Sequence, residues 1–274
     1  MRMRSSRVLR KLRSGEVVRC VRLNTLDPRV AEIAAMAGYD VLWYCREHVP
    51  SDWSDIENCI RAAKIYDVDV MVRTEKGSYS DYIKPLELDA SGIMIPHVTS
   101  AAEAKEIVRM TRFHPRGLRP LDGGNQDAAY ASVPIPEYVA QANSERFIVV
   151  QIEDVEAINA LGEIAAVEGI DILFFGPGDY SQSIGYPGQI EHPEVSDACV
   201  KVARSAAAHG KWSATPSAPH GIRDKIDLGY RFLSVGADVV GLRQYFDGNV
   251  KAFEQAGYPG TETSGSSSSQ SPYS

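Results

Sequence analysis

The sequence predicts an α/β protein, a (β/α)8 TIM barrel in a single domain. Three observations carry this. Short apolar runs alternate with amphipathic helical stretches eight times along the chain. The runs are apolar at consecutive positions rather than every second one, as in strands buried on both faces. Eight such units in about 240 residues match a closed barrel in size. An open doubly wound sheet is the alternative, disfavoured because no GxGxxG follows the first run.

The chain opens on a basic segment, with six Lys or Arg in its first 13 residues. The pattern SSRVLRKLRSG predicts a solvated leading helix with Val8, Leu9 and Leu12 turned to the body. No apolar stretch follows it, which argues against a secretory signal. VVRCVRL (17–23) is the first strand, and Asp27 as N-cap, Pro28 at the first helical position and Gly38 as stop define the next helix. DVLWYC (40–45) is the second strand, followed by a helix from Ser51 to about Tyr66. VDVMVR (68–73) and GIMIPH (92–97) are the third and fourth, and Ser100 with Glu103 reads as a capping box. RFIVVQIE (146–153), DILFFG (171–176), KWSAT (211–215) and RFLSVG (231–236) supply the rest. The barrel domain is expected over residues 1–258, followed by a tail at 259–274. The tail, rich in serine and almost without apolar groups, cannot offset its ordering entropy and is predicted to be disordered.

Composition narrows the function. A net charge of −7 disfavours nucleic-acid binding. No stretch approaches the roughly 18 apolar residues of a membrane span. The four cysteines, Cys20, Cys45, Cys59 and Cys199, show no CxxC spacing and read as reduced thiols of a cytoplasmic protein.

In a barrel the active site lies at the carboxyl ends of the strands. Arg22, His48, Arg73, His97, Gln151 and Glu153 fall there, and the turn FFGPGDYS leads to Asp179. Any one of them has an ordinary explanation as a solvated charge or a cap, but the set converges on one mouth. Two carboxylates on adjacent strands suit a hard divalent cation, Mg2+ above all, with Mn2+ or Co2+ as alternatives. No HExxH or Cys/His cluster points to a closed zinc site. The glycines flanking Pro177 let backbone N–H groups approach a small anion. Such a site fits a chelated 2-oxo acid, with Arg73 stabilising the negative charge of an enolate. His48, just past the second strand, reads as a base, a metal ligand or a loop residue.

The motifs AGYDVLWYCREHVP, VMVR, GIMIPHV, RGLRP, VVQIED, LFFGPGDYS and HPEV, in this order, resemble those of the HpcH/HpaI aldolase family. These are metal-dependent class II 2-oxo acid aldolases related to the citrate lyase β-subunit, and the likeness spans about residues 6 to 256. The resemblance implies a pyruvate-type (β/α)8 barrel, a homo-oligomer (trimer or hexamer) and exchange of the last helix between paired subunits. It implies that Glu153 and Asp179 bind the metal and that Gln151 lines the pyruvate pocket. The amides of Gly178 and Asp179 would then hold the carboxylate, Arg73 would contact the keto oxygen, and His48 would act as acid and base.

The sequence also departs from that pattern. Cys45-Arg46-Glu47-His48 stands where many members read Asp-Gly-Glu-His, so the usual carboxylate helper of the histidine is a thiol here. Arg22 replaces an aromatic residue, and His97 occupies a commonly apolar position. Both suggest a substrate more anionic than pyruvate and a simple aldehyde. The histidine after Ile-Pro is similar to that of macrophomate synthase, a relative that decarboxylates oxaloacetate. The segment RPLDGGNQDAAYASVP also differs, with Tyr130 and Asn125 as candidate site residues.

Three functions compete. The first is a carbon–carbon lyase cleaving or forming 4-hydroxy-2-oxo acids through a pyruvate enolate. The second is an oxaloacetate-type decarboxylase or carbon–carbon-forming biosynthetic enzyme. The third is a binding protein that keeps the oxo-acid pocket without turnover. In each the partner is a small 2-oxo acid. Val239, Val240, Leu242, Phe246, Val250 and Phe253 give the last helix apolar surface for a neighbouring subunit.

Overall fold

The computed structural model describes residues 2–258. Its strands are β1 (Val18–Leu23), β2 (Val41–Cys45), β3 (Asp69–Arg73), β4 (Gly92–Ile95), β5 (Phe147–Ile152), β6 (Ile172–Phe175), β7 (Trp212–Pro216) and β8 (Phe232–Ala237). All pair in parallel, each with its sequence neighbour, and β8 closes on β1, so the sheet is a barrel and the open doubly wound alternative is excluded. The leading helix is α1 (Arg7–Arg13), followed by α2 (Pro28–Met36), α3 (Trp53–Ile65), α4 (Tyr79–Glu87), α5 (Ala101–Thr111) and α6 (Ile135–Glu145). Beyond β5 come α7 (Val155–Asn159), α8 (Leu161–Ala165), α9 (Pro177–Ser183), α10 (Pro193–Ala208), α11 (Ile222–Asp227) and α12 (Asp238–Gln255). The Ser-rich tail lies outside the described residues.

Side chains alternate across each strand, and both faces are buried. Outward residues such as Leu42, Val70, Val72, Ile148, Val150 and Leu173 pack under the helices. Inward residues, among them Val18, Cys20, Val41, Met71, Phe147 and Phe232, fill the interior. At Gly92 a Cβ would stand 2.1 Å from the Phe147 ring, so a small residue on β4 makes room for a large one on β5. The same alternation, continued to the carboxyl ends, turns Arg22, Cys45, Arg73 and Gln151 toward the mouth.

Local signals explain the helix starts. The Asp27 carboxylate accepts the Arg29 N–H, and Pro28 opens α2. Ser100 accepts the Glu103 N–H, but the Glu103 carboxylate returns to the Thr99 N–H instead of Ser100, so the capping box closes one residue early.

α1 plugs the amino-terminal end of the barrel through Val8, Leu9 and Leu12, all buried. Its basic face is only partly solvated: Arg10 and Arg13 are exposed, as the sequence suggested, but other cations of the segment turn onto buried carboxylates. Arg7 and Lys11 bind the buried Asp40 at 3.0 and 2.8 Å, and Arg4 binds the buried Asp69 at 2.7 Å. Asp69 also accepts the Ser6 hydroxyl and the Val8 N–H. Burial works against the charge on Asp40, yet hydrogen bonds from Arg19 and Lys11 prevail and hold its pKa below the usual range.

Truncating Asp69 takes from Arg4 its buried carboxylate, leaving the exposed Asp67, and removes the acceptor of the Ser6 hydroxyl and the Val8 N–H. Asp69→Ala is expected to lower unfolding free energy by about 3–5 kcal/mol, read as a lower urea midpoint. A midpoint matching the parent protein would show that the plug is not held by this carboxylate.

Candidate active site

A cavity of about 410 Å3 opens at the carboxyl-terminal mouth. Arg22 and His48 line it from the ends of β1 and β2, Arg73 from β3, and Gln151 and Glu153 from β5. Gly178 and Asp179 line it from the turn into α9, and Val239 and Val240 from the first turn of α12.

Glu153, one residue beyond β5, is 1% exposed. One carboxylate oxygen accepts the His97 N–H at 3.0 Å, and the other accepts the Gln151 side-chain amide at 2.7 Å. Its nearest cationic group is the His97 ring, at 3.7 Å. Burial pushes its pKa up to about 7; the His97 N–H and ring oppose this, and the charge of Asp179 adds to it. Gly176 is part of the same device. A Cβ there would lie 2.3 Å from a Glu153 oxygen, so only glycine lets the β6 end pass the carboxylate.

Arg73 is almost fully buried and held from several sides. It donates to Cys45 Sγ at 3.3 and 3.1 Å and to Gln151 Oε1 at 3.3 Å. Its Nε lies 3.0 Å from Glu47, a charge contact without hydrogen-bond alignment, and its guanidinium sits 5.1 Å from the Trp43 ring centre. Arg73, Gln151 and Glu153 thus form one hydrogen-bonded chain across β3 and β5.

Glu47 also stands 3.5 Å from His48 Nε2 and 3.6 Å from His97 Nε2. The carboxylate facing His48 therefore comes from its own neighbour, while Cys45 is bonded to Arg73. His97 does not line the cavity. Its ring turns to Asp154 at 3.1 Å, and its contribution to the site is the N–H on Glu153. Burial lowers the pKa of that ring, but Glu153, Asp154 and Glu47 outweigh it and the net shift is upward. The backbone at His97 is left-handed, with φ of 51°, a conformation that costs a non-glycine residue about 1 kcal/mol or more. Tyr130 and Asn125 are also absent from the cavity. Tyr130 is exposed and Asn125 bonds Asp122, in a segment anchored instead by buried Arg119, Asp127 and Tyr138.

Sequence reasoning missed Trp43 and Asp154. Trp43 was detectable from strand alternation, since it is the register partner of Arg22. Asp154 follows Glu153 directly, and only the turned His97 backbone makes it a partner.

Among the described residues no three His, Cys, Asp or Glu side chains cluster for a metal. Glu153 and Asp179 nonetheless fit a cation that takes two carboxylates and completes its shell with water and substrate oxygens. Glu153 is a buried carboxylate with a raised pKa that shares the cavity with a second carboxylate, Asp179, and has clearance from Gly176; an ionised carboxylate so placed is stabilised by a cation.

The model of the HpcH/HpaI aldolase/citrate lyase family matches residues 20–244. The hydroxypyruvate/pyruvate aldolase of Pseudomonas aeruginosa is 33% identical over 234 residues, 85% of this chain and 87% of that one. The crystal structure of an HpcH/HpaI aldolase from Desulfitobacterium hafniense DCB-2 superposes with a TM-score of 0.87 at 32% identity, covering 93% of this chain and 98% of the other. Macrophomate synthase superposes with a TM-score of 0.81 at 26% identity, over 93% and 91%. With its barrel and these likenesses in agreement, the chain belongs to the HpcH/HpaI aldolase/citrate lyase family, a family of aldolases and lyases.

Proposed function

We propose that this protein is a divalent-metal-dependent aldolase that cleaves or forms 4-hydroxy-2-oxo acids by way of a pyruvate enolate. The observation that carries this reading is Glu153, a buried carboxylate with a raised pKa beside Asp179 and bonded through Gln151 to Arg73. Glu153 and Asp179 would hold Mg2+, or Mn2+ or Co2+ in its place. When bound, the cation would supply Lewis acidity to the oxo acid.

The remaining work falls to the chain. Gln151 orients the oxo acid, and the amides of Gly178 and Asp179 receive its carboxylate. Arg73 is positioned before the substrate arrives, so its guanidinium stabilises the oxygen where charge develops without reorganising. In cleavage the 4-hydroxyl gives its proton to His48, the C3–C4 bond breaks, and the electron pair passes into the enolate. Protonation at C3 then releases pyruvate. Glu47 steadies the imidazolium of His48, taking over the role of the aspartate whose position Cys45 occupies here. Four buried free cysteines suit a cytoplasmic setting, and among the described residues no helix is long and apolar enough to cross a membrane. The exposed Leu242, Phe246, Val250 and Phe253 on α12 support a homo-oligomer, for which the resemblance implies a trimer or hexamer.

One observation favours a second reading. His48 shares Glu47 with Arg73, so its support is weaker than a dedicated carboxylate. Decarboxylation of oxaloacetate reaches the same enolate without removing a hydroxyl proton. Oxaloacetate consumption that survives His48→Ala, with no 4-hydroxy-2-oxo acid cleaved, marks that reading as the right one.

Pyruvate release from a 4-hydroxy-2-oxo acid is expected to need Mg2+, Mn2+ or Co2+ and to stop with EDTA. Arg73→Lys is expected to lower kcat by about 10²-fold or more with a smaller change in KM, and full turnover without metal would defeat the proposal. Glu153 also sets a pH dependence. Raised from 4.5 to about 7, it contributes stability to the metal-free protein below pH 4.5 that is lost as pH rises through 7. A cation must displace its proton, so calorimetry in buffers of different ionisation enthalpy is expected to find proton release on Mg2+ binding at pH 6 and almost none at pH 8.5. Equal release at both would assign the linkage to another group.

A further inference from the structure

Arg22 is a cation in the cavity that no carboxylate of the described residues neutralises. It is half-buried at the end of β1, and its Nε donates to the Asn24 side chain at 3.0 Å. Among the described residues it has no carboxylate within ion-pairing distance, and its two terminal nitrogens make no hydrogen bond. Arg73, the other cavity arginine, is matched by Glu47. The Trp43 ring, 5.4 Å from the Arg22 guanidinium, favours a cation on its face but offers no acceptor to those nitrogens. The platform is fixed, because Asp238 accepts the N–H groups of Asn24 and Thr25 at 2.9 and 2.8 Å.

Its place in the barrel says what it faces. β1 pairs with β2 and β8, and β5 is four strands away in either direction. Arg22 and Glu153 therefore occupy opposite sides of one cavity, and both line it. A ligand whose oxo-acid end lies at Glu153 and Asp179 extends its far end toward Arg22.

We propose that Arg22 determines specificity by receiving a second carboxylate, carried by the carbonyl compound that is released in cleavage or added in synthesis. The acceptor is thus itself an acid, such as an aldehydo or oxo acid. A single guanidinium edge with two free donors matches one planar carboxylate. His97 takes no part, since its ring is engaged with Asp154 outside the cavity. This inference rests on the oxo-acid site of the proposed function.

The test is binding of two ligands that differ only at the far end, 2-oxoglutarate and 2-oxopentanoate, by calorimetry with Mn2+ present. The protein is expected to bind 2-oxoglutarate about ten- to a hundredfold more tightly, and Arg22→Gln is expected to erase the difference while leaving 2-oxopentanoate affinity unchanged. In synthesis from pyruvate, succinic semialdehyde is expected to exceed butanal in kcat/KM by a similar factor, again lost in Arg22→Gln. Equal affinities for the two oxo acids in the unaltered protein, with oxalate still bound, overturn the role of Arg22 and leave the aldolase reading standing. Failure to bind oxalate, pyruvate or either oxo acid with Mn2+ overturns both.

Discussion

A carboxylate kept out of water demands a cation or a proton, and the carboxyl-terminal mouth of this barrel is arranged around that demand. Glu153 is buried by the closure of the sheet, since the end of β5 has β4 and β6 on its flanks and Gly176 passes directly over the carboxylate. Its oxygens are aimed by a backbone N–H and a side-chain amide, which fix direction without supplying full charge. Gln151 and Arg73 continue the same chain of bonds, so the proposed cation site and the guanidinium proposed to stabilise the enolate are positioned by one network.

Glu47 is the second centre of organisation. It lies within 3.6 Å of Arg73, His48 and His97 and so shares one negative charge among three partners. Cys45 Sγ, and not a carboxylate, accepts two of the Arg73 hydrogen bonds. The unmatched Arg22 is the basis for the proposed preference for an acidic acceptor, although the protein as a whole is acidic, with a net charge of −7. Local placement, not overall charge, decides what the mouth attracts.

The barrel was legible because its strands are apolar on both faces and its helix starts carry local signals such as Asp27 and Pro28. The strand-end positions of Arg22, His48, Arg73, Gln151, Glu153 and Asp179 followed from the strand boundaries alone. What escaped depends on backbone geometry or on distant partners. His97 sits at a strand end in the sequence, but its left-handed backbone turns the ring away and leaves only the N–H for the site. Arg4 and Arg7, just before and in α1, read as solvated until the fold brings Asp69 and Asp40 beneath them, 65 and 33 residues away. The segment from Arg119 to Pro134 has polar residues suited to a site, yet the buried Arg119–Asp127 pair holds it over the outer helices.

The central claim is that Glu153 and Asp179 grip one divalent ion that also touches the oxo acid. Mn2+ makes this directly observable through its electron paramagnetic resonance spectrum. One Mn2+ bound per chain, a spectrum altered by adding oxalate or pyruvate, and loss of both effects in Glu153→Gln is the predicted result. Free Mn2+ at every protein concentration, or a bound ion indifferent to oxalate and to Glu153→Gln, would contradict the account.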